Sequence, residues 1–145
     1  NYFDYIADYL DPSSYIEVTA NNTSQTLSAS SAMNIGTYKP KIVFYSYDPD
    51  EGIIFEQALA DGYKINEKGI LMAVPYFISP ENLMNPRLSW TWYINNSATA
   101  STGYQKYLLP VQVRSGVSGK SNIKLEVENL DRVFQTDKSE INVEF

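Results

Sequence analysis

Strict alternation of apolar and polar side chains over residues 88–94 constrains the fold of this chain more than any other feature. Successive side chains of a β-strand point to opposite faces of the sheet, so residues two apart share a face. The apolar set on one face consists of Leu88, Trp90, Trp92 and Ile94. We therefore predict a half-buried strand whose inward face carries both tryptophans, with Tyr93 as an exposed aromatic side chain on the opposite face.

Six further segments have the composition or the alternation of strands. They cover residues 16–20, 42–47, 70–77, 107–113, 123–127 and 141–145. Pro110 lies out of phase with the apolar residues of its segment, and proline within a strand indicates an edge or a bulge. The segments 42–47 and 70–77 are apolar on both faces, which is typical of strands in the middle of a layered core. The last two segments predict a terminal hairpin with a long connection over 129–139.

Clusters of turn-forming residues separate these segments. They occupy residues 48–52, 79–82, 95–97 and 115–119. Six or more short strands separated by such turns predict an all-β antiparallel sandwich. Apolar residues at helical spacing predict, in addition, a short N-terminal helix over 1–10 and one or two helical turns over 54–59.

A change of composition near residue 37 divides the chain into two regions. Residues 21–37 are rich in Ser, Thr, Asn and Ala and carry no charge, which predicts a linker or an exposed pair of strands. We interpret residues 1–37 as an N-terminal extension or as the end of a preceding module. Residues 38–145 have the size of one sandwich domain.

The chain contains neither cysteine nor histidine, and this excludes several kinds of site. Disulfides and zinc sites built on cysteine are ruled out, and the commonest general base of enzymes is missing. No pair of carboxylates stands in a recognisable catalytic motif. We therefore expect no enzymatic activity and no cofactor.

The formal net charge of −6, from 11 basic and 17 acidic residues, opposes binding to phosphate backbones. Nucleic acid is therefore not expected as a partner. No apolar run reaches the roughly 20 residues that cross a bilayer, and we expect no transmembrane segment in this chain.

An acidic turn is the strongest candidate for a metal site. Asp48, Asp50 and Glu51 place three carboxylates close together, and Ca²⁺ binds clustered oxygen ligands. The spacing differs from that of an EF-hand, because Gly52 comes one position early and Leu59 stands where a bidentate Glu is needed. The pattern favours a solvated turn, with a Ca²⁺ site as the alternative.

Aromatic side chains are abundant, with 12 tyrosines in the chain. Aromatic rings offer flat apolar area on which sugars can stack. Because Trp90 and Trp92 share the apolar phase of their strand, core packing is the favoured interpretation for both. A carbohydrate-binding module would instead require several exposed tyrosines in one plane or groove.

The segment from Leu88 to Asn96, in which tryptophans precede an Asn turn, resembles the third strand of bacterial immunoglobulin-like and PKD-type cell-surface modules. Residues 123–145 resemble their last hairpin. The stretch from Pro40 through Phe77 resembles domains in uncharacterised exported proteins of candidate-phylum bacteria. The resemblance implies an immunoglobulin-like antiparallel β-sandwich. The chain departs from antibody-type domains because it lacks both cysteines, and no PKD-type Gly- and Asp-rich turn precedes the Trp strand.

Modules of these families serve as structural spacers, adhesion units or assembly units, and this is the non-enzymatic function that the resemblance implies. The expected partners are another protein, a surface glycan or neighbouring modules of the same protein, at an extracellular or cell-surface location. Two alternatives stay open. One is a carbohydrate-binding module, and the other is a filament or surface-layer subunit in which residues 1–37 pair with a neighbour by strand addition.

Overall fold

The computed structural model describes residues 13–36, 38–99, 105–131 and 135–145. Within these residues eleven strands and one short helix follow one another along the chain. In order they are β1 (Ser13–Asn21), β2 (Ser28–Gly36), β3 (Lys41–Asp48), β4 (Gly52–Ile54), β5 (Tyr63–Lys64), β6 (Lys68–Tyr76), α1 (Pro80–Met84), β7 (Leu88–Ile94), β8 (Ser97–Thr99), β9 (Leu108–Gln112), β10 (Lys120–Asn129) and β11 (Thr136–Glu144). The predicted all-β fold is confirmed.

The chain divides into two compact units, Asn1–Tyr38 and Lys39–Phe145. In the described part of the first unit, β1 and β2 form an antiparallel hairpin whose strands are nine residues long. Asn22 closes its turn, because its side-chain oxygen accepts hydrogen bonds from the backbone N–H groups of Thr26 and Leu27 at 2.8 and 3.0 Å. The sequence predicted a linker or an exposed pair of strands over residues 21–37, and the structure has one strand there, β2, which pairs with β1.

The second unit is a sandwich of two sheets. One has four strands in the order β4-β3-β6-β9, and the other has five in the order β5-β11-β10-β7-β8. All neighbouring strands are antiparallel except β5 and β11, which run parallel over Tyr63 and Lys64. Between the sheets, the backbone N–H of Ile42 donates a 2.7 Å hydrogen bond to the carboxylate of Asp137, which ties β3 to β11.

Alternating residues of both sheets fill the core between them. Leu88, Trp90 and Trp92 of β7 point inward, as predicted, and Trp92 has no exposed surface. The ring of Phe44 from the opposite sheet lies 5.6 Å from that of Trp92, and the indole N–H of Trp92 donates to the carbonyl of Lys106 at 2.9 Å. A fully buried side chain of this size contributes a few kcal/mol by leaving water, so this layer of the core holds the unit together.

Strand positions within the four-stranded sheet agree with the sequence pattern. β3 and β6, which were predicted from runs that are apolar on both faces, are its two interior strands. β9 contains Pro110 and lies at the edge, as predicted. Only one face of β3 and β6 contributes to the core, however, and their second apolar face lies on the outside of the sandwich.

The predicted helix over residues 54–59 is wrong. Ile54 pairs with Ser46 as the last residue of β4, and residues 55–60 form a turn and an irregular stretch. The backbone N–H of Leu59 donates to the carbonyl of Phe44 at 2.8 Å, so pairing with β3 holds this segment against the sheet. The predicted helix over residues 1–10 lies outside the described residues.

Two predicted connections also differ from the structure. Residues 79–82, predicted as a turn, begin helix α1, in which Ser79 is the N-cap and Pro80 occupies the first turn. The long connection predicted over 129–139 is shorter, because β10 continues to Asn129 and β11 starts at Thr136. The predicted Asn95-Asn96 turn is confirmed, and both residues have positive φ angles of 50° and 65°, as a tight hairpin turn requires.

Candidate functional site

The candidate site is the outer surface of the four-stranded sheet. On β3 and β6 the residues that alternate with the core side chains point outward, and nearly all of them are apolar. Register pairs Val43 with Val74 and Tyr45 with Met72 directly across the two strands. Directly opposed side chains of this kind pack against each other, so the centre of this surface is a continuous apolar layer.

The two outer strands extend this layer on both sides. Ile53 of β4 is opposite Tyr47, and on β9 Leu108 and Pro110 are opposite Met72 and Ile70. Leu108 is buried although it lies outside the core cluster. We call this surface the apolar face; it consists of Val43, Tyr45, Tyr47, Ile53, Ile70, Met72, Val74, Tyr76, Leu108 and Pro110.

Charge is confined to the ends of the apolar face. Lys41 pairs with Tyr76 at one end, and Lys68 pairs with Gln112 at the other. With strands about 4.8 Å apart and a rise of about 3.3 Å per residue, the uncharged part covers roughly 400 Å². Its side chains other than Tyr76 and Pro110 are half-buried or buried, so the solvent-exposed apolar area is smaller than this footprint. Contiguous exposed apolar patches on monomers are often functional.

Aromatic side chains make one end of the apolar face more polar than its centre. The hydroxyl groups of Tyr45 and Tyr76 are hydrogen-bonded at 2.9 Å, and this bond raises the pKa of Tyr45, with burial adding to the effect. The ring of Phe55, 56% exposed, meets that of Tyr45 edge-on at a centroid distance of 5.2 Å and an angle of 63°. This cluster offers rings at steep angles rather than one flat platform.

The outer surface of the five-stranded sheet has the opposite character. Lys124 and Glu126 of β10 form an ion pair at 2.8 Å, and Tyr93 of β7 donates its hydroxyl proton to Glu126 at 3.0 Å. The ammonium group of Lys124 also lies 4.2 Å from the centre of the Tyr93 ring. We call this surface the charged face; its outward residues are Ser89, Thr91, Tyr93, Lys120, Asn122, Lys124, Glu126, Glu128, Thr136, Lys138, Glu140, Asn142 and Glu144.

Hydrogen bonds on the charged face shift the pKa values of its groups. The hydrogen bond from Lys124 lowers the pKa of Glu126 most, and the hydrogen bond from Tyr93 lowers it further. Glu126 in turn raises the pKa of both partners. Lys120 likewise lowers the pKa of Glu144. Tyr93 points outward, as predicted, but it is half-buried within this network, because Lys124 covers the face of its ring.

The predicted acidic turn lies between β3 and β4 and is exposed. The carboxylate of Asp48 accepts hydrogen bonds from the backbone N–H groups of Asp50 and Glu51 at 2.8 and 3.1 Å. Asp48 therefore caps its own turn. Within the described residues no group of three acidic side chains is arranged to hold a metal ion.

The apolar face was not predicted as a site, although the sequence contains its signal. Runs that are apolar on both faces were interpreted as strands covered on both sides, and in the described second unit only one side of β3 and β6 faces the core. Trp90 and Trp92 lie in the core, as predicted, and take no part in the apolar face.

Comparison with models of protein families, with curated proteins and with solved structures finds no significant match. In the part of the chain that the structure describes, no helix is long and apolar enough to span a membrane.

Proposed function

We propose that this chain is a non-catalytic, immunoglobulin-like module of an exported bacterial protein that assembles with a neighbouring protein module through its apolar face. The observation that supports this function is the contrast between the two outer surfaces of one sandwich. One surface has its outward positions occupied by charged and polar side chains, and the other presents uncharged apolar ones. The exported, cell-surface location is part of the proposal and rests on the sequence resemblance.

The chemistry of the apolar face favours a protein surface as its partner. Val43, Ile70, Met72 and Val74 offer aliphatic area without hydrogen-bonding groups, so burial against another apolar surface leaves no polar atom unsatisfied. The flanking Lys41 and Lys68 can stay in water at the rim, as charged residues do in protein interfaces. The partner that fits is a neighbouring module with an uncharged apolar surface.

The edges of the sheets are less suitable for assembly by strand addition. The outermost strands β4, β5 and β8 have only three, two and three residues, and β9 carries Pro110. Short edge strands and proline both limit pairing with another chain. Docking on the apolar face is therefore the better supported mode of assembly for this unit.

Carbohydrate binding is a second candidate, because Tyr45 and Tyr76 of the apolar face lie together and Phe55 contacts Tyr45 beside them. Sugars stack on ring faces that are accessible and similarly oriented. The steep angle between the Tyr45 and Phe55 rings and the aliphatic surroundings favour a protein partner over a glycan.

Photo-crosslinking in the cells that make the protein tests the proposal. Tyr45 and Tyr93 are matched positions, since each is a half-buried tyrosine pointing outward from an interior strand of its sheet. Each is replaced in turn by p-benzoylphenylalanine, and adducts are identified by mass spectrometry. We expect a discrete protein adduct from position 45, its loss when Met72→Lys is added, and no discrete adduct from position 93.

Equal adducts from both positions, or none from position 45, would overturn the proposal. Affinity electrophoresis in gels containing soluble polysaccharides tests the second candidate. Retardation that disappears in Tyr45→Ala but not in Tyr93→Ala would favour the glycan-binding function instead.

A further inference from the structure

Strand β11 is open on one side along much of its length. The backbone of Gly119 both donates to and accepts from that of Phe145, so the odd-numbered residues of β11 are the ones bonded to β10. The even-numbered residues direct their N–H and C=O groups to the other side, where β5 pairs only with Val143 and Glu144. Among the residues that the structure describes, no strand pairs with this side over residues 136–141, which we call the open edge.

The open edge has the groups that pair with another strand. Thr136, Lys138 and Glu140 each direct one backbone N–H and one C=O outward, and such rows are templates for strand addition. Their side chains do not oppose it. If two copies paired antiparallel about an axis at Ser139, Lys138 of each copy would lie opposite Glu140 of the other, and opposite charges across strands are stabilising.

Asp137 lies on the inward side of the open edge. Its carboxylate accepts the 2.7 Å hydrogen bond from the backbone N–H of Ile42, which β4 leaves uncovered because it pairs only with residues 46–48 of β3. The side chain of Asp137 is half-buried, and among the described residues no Lys or Arg forms an ion pair with it. Water therefore solvates the rest of this carboxylate at the margin of the sandwich.

We propose that Asp137 prevents the open edge from pairing with another strand. A strand added to β11 covers the inward side of the edge and removes water from the carboxylate, which then keeps a single N–H as its partner. Burial of a carboxylate without an opposite charge is strongly unfavourable, and inward-pointing charges are one way in which natural sheets protect their edges.

The register favoured by the outer side chains increases this penalty. When Lys138 lies opposite Glu140 of a second copy, Asp137 lies opposite Ile141 of that copy, so a charge meets an apolar side chain on the inner side. The pairing that the outer face favours is thus opposed on the inner face. This inference goes beyond the proposed function, since it concerns a sheet edge and not the apolar face.

Sedimentation velocity of the full chain from about 10 µM to about 1 mM tests the inference. Asp137→Val and Asp137→Asn remove the charge, and each is expected to associate at least about tenfold more strongly than the parent chain. Ser139→Val adds apolar surface on the same inward side but keeps Asp137, and it should sediment like the parent. Tryptophan emission, which reports on the buried Trp92, identifies any variant that has lost its fold. Asp137→Asn retains an acceptor for Ile42 and provides the test if Asp137→Val does not fold.

A second substitution locates the association. Glu140→Pro removes an outward N–H of the open edge and leaves the hydrogen bonds with β10 intact, so adding it to Asp137→Asn should restore the behaviour of the parent. Adding Met72→Lys, on the apolar face, should leave the new association unchanged, which keeps this inference separable from the proposed function.

Three results would overturn the inference. The first is an Asp137→Asn variant that is folded and associates no more than the parent. The second is a Ser139→Val variant that associates as strongly as Asp137→Val, because added apolar surface would then explain the effect without the charge. The third is association that persists when Glu140→Pro is added, since the contact would then lie away from the open edge.

Discussion

The two outer surfaces of the sandwich differ in chemistry although both are built from strands that cover the same core. On the charged face, Lys124, Glu126 and Tyr93 bind one another and remain accessible to water. On the apolar face, Val43, Met72 and Val74 occupy the equivalent outward positions. A surface that faces only solvent has no need of such side chains, and this difference is what supports the proposal that the four-stranded sheet is the binding side of the module.

The largest expected effect is on stability, and it distinguishes the apolar face from the core behind it. Phe44 and Tyr45 are neighbours on β3, but Phe44 points into the core and stacks near Trp92, whereas Tyr45 points outward. We expect Phe44→Ala to lower the free energy of unfolding by about 3–5 kcal/mol, because it leaves a cavity. Tyr45→Ala should lower the free energy of unfolding by only a small part of that amount. Urea denaturation measures both, and equal losses would mean that the apolar face is part of a core.

A smaller effect is expected from the ion pair of the charged face. Lys124→Ala removes the contacts with Glu126 and Tyr93. It should lower the urea midpoint at low ionic strength, and part of this loss should disappear at about 1 M salt, where the Debye length falls to about 3 Å. Val74→Ala on the apolar face serves as the control, since its effect should not diminish with salt. A Lys124→Ala effect that is independent of salt would contradict the electrostatic account.

Acid titration should also distinguish the two faces. The pKa of Glu126 is lowered in the folded protein by Lys124 and Tyr93, so its stabilising contribution is present above the unfolded value of about 4.3 and is lost as the pH falls through the folded pKa. Glu126→Gln should therefore flatten the fall of stability below about pH 5. Denaturation midpoints between about pH 3 and 7 check this, and Met72→Ala should leave the slope unchanged.

The smallest effect is expected at alkaline pH on the apolar face. The hydrogen bond to Tyr76 raises the pKa of Tyr45, so the stabilisation is complete below about pH 10, the unfolded value, and is lost as the pH rises through the folded pKa. Tyr45→Phe should therefore remove the part of the tyrosine absorbance change near 295 nm that occurs at the highest pH. If the titration curve of Tyr45→Phe lacks only an absorbance change at the pH where ordinary tyrosines ionise, the Tyr45–Tyr76 hydrogen bond does not form in solution.

Much of the sandwich could be predicted because its information is local. The alternation in β7, β10 and β11 identifies three adjacent strands of the five-stranded sheet and the inward position of both tryptophans. The β9 edge was also predictable, because Pro110 cannot donate a hydrogen bond to a neighbouring strand. These predictions depend on properties of single segments, and the structure agrees with them.

The remaining features depend on residues that are distant in the sequence. Apolar residues over 54–59 match a helix by spacing, but the carbonyl of Phe44 engages this segment instead. The apolar face could not be distinguished from buried sheet, because whether Tyr45 and Met72 are covered depends on what lies above the sheet. The network around Tyr93 likewise required the register of β7 against β10.

The position of the last strand has a consequence for how the protein is made. β11 lies between β10 and β5, and the backbone N–H groups of Gly62 and Ile65 donate to the carbonyls of Asn142 and Glu144. Residues near the middle of the chain therefore wait for partners that are synthesised about 80 residues later, as the separation of 81 residues between Asp61 and Asn142 shows. During vectorial synthesis the inward residues of β10 remain next to an open sheet edge until β11 emerges. Chains with such long-range pairing fold slowly and expose apolar surface during that time, so we expect this module to be most vulnerable to aggregation before β11 has emerged.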